Sequence, residues 1–215
     1  MQIVIFGPPG VGKGTQAKIL SSKLNIPHIS TGDILRDSVN RKTELGNKAK
    51  EIIENGELVP DDLMGKLVKE TIINLNYSEG FILDGFPRTI EQVKILENIF
   101  NELNISSPRV VVLKAKDDII VNRLTSRRTC SNCGQIVNLN DIADKNICPN
   151  CGKEGTLLKR KDDDEKVIRN RLKVYGQLTF PVLEFYKNKL DLIYINGTDP
   201  IEVISKNIFT ALNNN

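Results

Sequence analysis

Met1-Gln2-Ile3-Val4-Ile5-Phe6-Gly7-Pro8-Pro9-Gly10-Val11-Gly12-Lys13-Gly14-Thr15 opens the chain. A short β-branched run feeds a glycine-rich loop, the loop ends in Gly-Lys, and a helical pattern follows from Gln16 to Leu24. Glycines let the backbone curl so that several N–H groups point into one concavity, and the helix behind adds its positive N-terminal end. Such a nest suits a polyphosphate, with Lys13 supplying a full positive charge for the β and γ oxygens. The usual pattern places Ser or Thr directly after the lysine, where its hydroxyl serves Mg²⁺. Here Gly14 takes that place and Thr15 comes next. The bland reading is a glycine-rich turn that binds nothing. Strand, loop, lysine and helix occur in the order the phosphate mechanism needs, which favours the nest.

The 215 residues suffice for one well-buried core with small insertions. The apolar fraction of 40 % fits a globular protein. No apolar run approaches the ~18 residues of a bilayer span, so no membrane partner is expected. The chain starts straight into strand and loop with no basic, apolar leader pattern, which reads as cytosolic. A formal charge of +3 does not demand nucleic acid.

All four cysteines lie between positions 130 and 151, as Cys130-Ser-Asn-Cys133 and Cys148-Pro-Asn-Cys151, each pair followed by glycine. Two Cys-x-x-Cys knuckles at this separation match a four-thiolate zinc site. Disulfides are the alternative, which a reducing cytosol disfavours; a redox motif would need one such pair rather than two. Four thiolates close the coordination sphere, so the metal is expected to staple a small lobe rather than catalyse. The single histidine, His28, reads as structural.

Apolar β-rich runs recur at Ile3–Phe6, His28–Ile29, Phe81–Leu83, Val110–Leu113 and Leu192–Ile195, with helical spacing between them. That alternation predicts an α/β fold, a parallel sheet covered by helices on both faces, with phosphate bound at the carboxyl ends of the strands. Two insertions interrupt it: a polar, helix-forming one at Ser30–Val59, expected to be a helical hairpin, and the cysteine lobe at Arg127–Arg160. From Asp164 to Asn188, Val167, Ile168, Leu172, Tyr175, Leu178 and Leu183 recur at helical intervals. Asp162-Asp163-Asp164-Glu165 reads as a charged helix start, and Asn213-Asn214-Asn215 as a frayed tail.

The arginines group in a suggestive way. Arg123 and Arg127 stand four apart in a helical stretch and would share a face. Arg88 follows the strand-end turn Leu83-Asp84-Gly85-Phe86-Pro87, Arg36 follows Thr31-Gly32-Asp33, and Arg160 and Arg171 flank the end of the cysteine lobe. Singly, each is most often a solvated surface residue. Beside a phosphate loop they suggest a clamp on several phosphates, since the guanidinium fork matches phosphate oxygens. Asp84 ends an apolar strand, where a carboxylate can hold Mg²⁺ through water; otherwise it caps the turn at Gly85. No Ser-His-Asp or Cys-His set suggests itself. Transfer to a phosphate acceptor needs no general base, because that oxygen is already anionic.

These segments, together with Ile29-Ser-Thr-Gly-Asp33, Gly56-Glu-Leu-Val59, Thr89, Arg123-Leu-Thr-Ser-Arg-Arg128 and Arg160-Lys-Asp-Asp163, resemble the adenylate kinase family over essentially the whole chain. In that family Gly-Thr follows the loop lysine. The resemblance implies a phosphate-loop core at 1–29, 60–126 and 161–215, a monophosphate-binding insertion at 30–59, and a zinc-bearing lid at 127–160. It implies Mg²⁺-dependent ATP + AMP ⇌ 2 ADP in a cytoplasmic monomer. Gly10, Val11, Gly12, Lys13, Gly14 and Thr15 would bind ATP phosphates, with Arg123, Arg127, Ile136, Val137 and Asp199 also on the ATP side. Thr31, Arg36, Glu57, Leu58, Val59, Gly85, Phe86, Pro87, Arg88 and Gln92 would form the AMP side, and Arg160 and Arg171 would reach both substrates. Lys13, Arg88, Arg123, Arg127, Arg160 and Arg171 would carry the transfer. Three positions depart from the family pattern: Ser126 stands where glycine is common beside the lid hinge, Gln135–Leu139 lacks an aromatic-His pair, and Asp199 replaces a frequent lysine. The nearest rival is a kinase for UMP or CMP. A rival of another class is a zinc-ribbon nucleic-acid binder, against which the lobe offers neither interleaved aromatics nor a basic stripe.

Overall fold

A computed structural model describes residues 1–75 and 79–213; of the expected frayed tail, Asn214 and Asn215 lie outside the described residues. The chain runs from β1 (Gln2–Phe6) through the glycine loop into α1 (Lys13–Leu24) and back through β2 (His28–Ser30). Then come α2 (Thr31–Asn40), α3 (Glu44–Glu54), α4 (Asp61–Asn74), β3 (Phe81–Asp84), α5 (Ile90–Glu102), β4 (Arg109–Lys114) and α6 (Asp117–Ser126). The cysteine segment holds β5 (Arg127–Cys130), β6 (Ile136–Asn138) and β7 (Leu157–Leu158), and α7 (Glu165–Val174), α8 (Phe180–Lys187), β8 (Leu192–Asn196) and α9 (Ile201–Asn213) follow.

All five apolar runs are strands of one parallel sheet in the order β2-β3-β1-β4-β8. Side chains alternate across a strand, so Val4 and Phe6 face one side while Ile3 and Ile5 face the other. The first side is covered by Met64, Val68 and Ile72 of α4, Val93, Leu96 and Phe100 of α5, and Val182 and Tyr186 of α8. The second is covered by Ala17 and Leu20 of α1, Ile120 and Leu124 of α6, Ile168 of α7, and Ile204 and Ile208 of α9. Burial on both faces explains why the inner strands read as unbroken apolar runs. The chain places β2 and β3 on one side of β1 and β4 on the other. That reversal opens a crevice at the carboxyl end of β1, where the glycine loop sits.

The insertion after β2 forms the expected helical hairpin, α2 against α3. The Ser30 hydroxyl accepts from Asp33 N and caps α2, and Thr43 caps α3 by accepting from Gly46 N. The cysteine segment is a separate three-stranded antiparallel sheet in the order β6-β5-β7.

Three local expectations are corrected. α6 stops at Ser126, because Arg127 takes extended backbone (φ −66°, ψ 139°) to pair with Asn138 in the small sheet. Arg123 and Arg127 therefore share no helix face. In the run Asp162–Glu165, only Asp164, whose carboxylate accepts from Lys166 N, and Glu165 serve the start of α7. Asp162 and Asp163 lie in a preceding 3₁₀ turn and are buried. Residues Tyr175–Thr179 form a π-helical turn between α7 and α8. Its wider winding breaks the apolar interval, and Leu178 is left 45 % exposed.

Candidate active site

The glycine loop passes into α1 through Gly12, whose left-handed backbone (φ 107°) is the N-cap and would strain any residue with a Cβ. Lys13, the first residue of α1, folds its Nζ back over the loop and donates to the carbonyls of Gly7 (2.7 Å) and Pro8 (2.9 Å). Burial pushes its ammonium down to about 8, against the pull of Asp84 and with the push of Arg88, Arg171 and Arg127. A Cβ at Gly14 would stand 3.3 Å from a carboxylate oxygen of Asp84, so glycine after the lysine leaves room for that side chain.

A cavity opens beside the loop, between the carboxyl ends of β1 and β3 and the α2–α3 hairpin. Lys13, Thr31, Arg36, Glu57, Leu58, Val59, Gly85, Phe86, Pro87, Arg88, Gln92 and Arg171 all line it. Gly85 is a left-handed residue (φ 87°) at the end of β3. A Cβ there would lie 2.6 Å from the Thr31 hydroxyl and 2.9 Å from the Arg88 guanidinium, so only glycine lets both approach. Thr31 donates to Gly85 O at 3.0 Å and Arg88 Nε donates to the same carbonyl at 2.7 Å.

The cations crowd one another. Burial holds Arg88 down at about 10, with Arg171 and Arg36 adding repulsion. Arg160 is likewise held at about 10 by burial and by Arg36 and Arg127. Burial and Arg127 also lower Arg171. Lys13, Arg36, Arg88, Arg127, Arg160 and Arg171 thus form one electropositive field, gathered from the start of α1, the hairpin, the turn after β3, β5, the residue before the 3₁₀ turn and α7. Like charges at this density in a partly buried site are a standing cost that an anion would relieve.

Part of that cost is offset by carboxylates that sequence reasoning assigned to a helix start. Asp163, fully buried, accepts both forks of Arg127 at 2.8 and 2.6 Å. Asp162 lies 2.9 Å from Arg171, which also donates to the Asp162 carbonyl. Burial alone would raise the Asp162 carboxyl, but Arg171 and Arg36 hold it below the usual range. The four-residue acidic run hid these roles, because a solvated helix start and a buried counter-ion pair look alike without the fold. Val174 at the end of α7, and Tyr175 and Thr179 of the π-helical turn, also line the cavity, and no motif marked them.

Asp84 ends β3 beside the loop, and His28 Nε2 stands 3.6 Å from its carboxylate, both side chains largely buried. A carboxylate at a strand end, next to Lys13 and a glycine loop, fits a water-mediated hold on Mg²⁺. The remaining predicted residues stand outside the cavity lining. Gly10, Val11 and Thr15 belong to the loop and the first turn of α1. Arg123 donates to Gly197 O (2.6 Å) and Thr198 O, bracing the turn that carries Asp199, whose own carboxylate accepts from Asn196 Nδ2 at 2.8 Å. Ile136 and Val137 lie on β6, and Arg160 Nε donates to the Thr129 hydroxyl.

The four cysteine sulfurs all lie within 4.8 Å of one another. Cys130–Cys151 and Cys133–Cys148 are each 3.7 Å apart, with no disulfide. A tetrahedral Zn²⁺ with Zn–S bonds of about 2.3 Å sets its sulfurs roughly 3.8 Å apart, so the donor set fits. The segment is positioned to bind a metal. Among the described residues, no helix is long and apolar enough to cross a membrane.

Comparison with known proteins agrees with this geometry. Residues 5–191 match the family described as Adenylate kinase. The chain is 44 % identical to the adenylate kinase of Kosmotoga olearia over 100 % of both chains. It is 44 % identical to that of Thermosipho africanus, covering 99 % of each. It is 46 % identical to that of Methanocella arvoryzae, covering 99 % of this chain and 98 % of the relative. A phosphate loop, a field of arginines at the sheet's carboxyl edge and a family match over most of the length lead to one conclusion: this chain belongs to the adenylate kinase family.

Proposed function

We propose that this chain catalyses the reversible, Mg²⁺-dependent reaction ATP + AMP ⇌ 2 ADP and so balances the adenine nucleotides. The convergence of Lys13, Arg36, Arg88, Arg127, Arg160 and Arg171 carries the reading, because two polyanions must be neutralised side by side. An oxygen of the AMP phosphate attacks the γ-phosphorus of ATP; the bond from that phosphorus to the β–γ bridging oxygen breaks, and ADP leaves on each side. Both groups are anionic, so no residue needs to remove a proton. Lys13 gives up the carbonyls of Gly7 and Pro8 for the β and γ oxygens, where the loop glycines through Thr15 and the start of α1 supply N–H donors. Arg88, Arg127, Arg160 and Arg171 spread positive charge over the oxygens of the transferring group. Asp84 would hold Mg²⁺ through water, and the ion would supply positive charge toward the β and γ phosphates. Thr31, Arg36, Glu57–Val59, Gly85–Pro87 and Gln92 hold AMP; Arg123, Ile136, Val137 and Asp199 serve ATP.

Residues 30–59 and 127–160 act as two flaps that close over a core of 1–29, 60–126 and 161–215 and expel water. The cysteine site carries one structural Zn²⁺, which the closed four-thiolate set favours. The protein is read as a cytoplasmic monomer with small-molecule partners and neither a nucleic-acid nor a membrane partner. A coupled assay of ADP formation from ATP, with AMP present, absent, or replaced by UMP, CMP or GMP, tests the reading. AMP-dependent ADP formation is expected. Faster turnover with a pyrimidine, or ADP formed at the same rate without any acceptor, overturns it.

A further inference from the structure

Gln92 is 2 % exposed, lines the cavity, and has both ends of its amide committed. Its Oε1 accepts the Arg88 backbone N–H at 2.7 Å. Its Nε2 donates to Asp61 Oδ1 at 2.8 Å, and the other oxygen of Asp61 accepts from the Thr89 hydroxyl at 3.0 Å. Thr89 Oγ1 in turn accepts from Gln92 N and caps α5. Rotating the amide by half a turn would set Nε2 against the Arg88 N–H, donor facing donor. It would also set Oε1 against a carboxylate, acceptor facing acceptor. Two buried mismatches at once hold the amide in one sense.

Each end keeps one capacity in reserve: a lone pair on Oε1 and an N–H on Nε2. In that order they complement a base edge with an amino donor beside a ring-nitrogen acceptor, as adenine has at N6 and N1. A base with an oxo group beside a ring N–H, such as hypoxanthine, needs the amide reversed. A free glutamine would flip to suit either.

We propose that Asp61 is a specificity-determining, positioning residue: it locks the Gln92 amide so that the acceptor site takes amino-edged bases and rejects oxo-edged ones. This rests on the adenylate kinase reading above, with AMP on this side of the cavity. Asp61 touches no substrate and acts only through Gln92. Sequence reasoning did not single it out, because a carboxylate in the first turn of α4 is already accounted for by the helix dipole.

The test compares AMP with IMP, which differ at the edge in question, by steady-state kinetics and by calorimetric binding. The unmutated protein is expected to favour AMP in kcat/KM by on the order of ten-thousandfold, as sites built around a buried hydrogen-bonding edge do. Asp61→Ser, too short to reach the amide, should cut that preference at least tenfold on this view. The cut should come mainly through a higher KM for AMP and a lower one for IMP, with the KM for ATP unchanged. Asp61→Asn keeps an acceptor toward Nε2 and should retain the preference within about threefold. Asp61→Ala replaces the serine variant if that melts early. A folded Ser or Ala variant with the original AMP/IMP ratio overturns the lock, as does an Asn variant that loses the ratio equally. If the unmutated protein forms no ADP from either monophosphate, the reaction assignment has failed instead, and the AMP/IMP binding ratio alone decides the lock.

Discussion

The arginine-lined cavity and the cysteine segment solve opposite problems. Around the cavity, an extensive apolar core on both sheet faces fixes the backbone. That core lets Lys13, Arg88 and Arg171 stand close together despite mutual repulsion. From 127 to 160 the buried apolar residues are only Cys130, Val137 and Cys148. There the polar groups must themselves hold the fold, which four thiolates can do only around a cation. A core can bear the cost of crowded charge for function, and a lobe without a core must turn its polar side chains into its own support.

The sharpest way to break this contrast is Arg88→Ala. It removes a guanidinium aimed into the cavity while leaving the sheet untouched, so phosphoryl transfer should fall on the order of a thousandfold with ATP affinity retained. A near-normal rate in a stopped-flow ADP assay would remove Arg88 from the chemistry. On the other side of the contrast, chelation should lower the melting transition by on the order of 5–10 °C. Turnover at moderate temperature should stay within about twofold. Immediate loss of turnover with the far-ultraviolet circular dichroism unchanged would mean that the metal does more than support the lobe.

The charge cost in the cavity can be read through Lys13. Its proton is lost near pH 8 in the folded, ligand-free protein but only near 10.5 in the unfolded chain. Between those values the unfolded chain holds a proton the folded one lacks, so stability attributable to Lys13 rises with pH across that window. A bound polyphosphate should restore the charge. Calorimetry of ATP binding at about pH 9 in buffers of different ionisation enthalpy should therefore show uptake approaching one proton, absent in Lys13→Met. No uptake in the unmutated protein would contradict the burial and crowding that lower the Lys13 ammonium. The smallest effect is expected where the two regions join. The Ser126 hydroxyl accepts from Asn140 Nδ2 at 3.0 Å, while the Ser126 carbonyl accepts from Leu139 N. Ser126→Gly removes only the first, so turnover should rise by no more than about threefold; a larger change in kcat would show that this clasp governs lid motion.

Much of the architecture was legible because its signals are local. Apolar β-branched runs bounded by glycine read as parallel strands, and the spacing of four cysteines announced a cluster of thiols positioned to bind a metal. Pairings between distant segments were not. The acidic run at 162–165 reads as a helix start until the turn before α7 brings Asp162 to Arg171 and Asp163 to Arg127. Arg123 and Arg127 look like helix neighbours until the second is drawn into β5 by its partner Asn138. Asp61 carries no motif, and its role exists only because α4 and α5 lie side by side.

By itself the sequence determined the order of strands and helices, the glycine loop and the two Cys-x-x-Cys pairs, since each depends on residues within a few positions of one another. Tertiary structure alone decided which carboxylate faces which guanidinium, which way the Gln92 amide points, and how many positive charges share one cavity. Those outcomes depend on distances between elements far apart in the chain, and electrostatic and hydrogen-bond energies are set by distance and burial rather than by residue type.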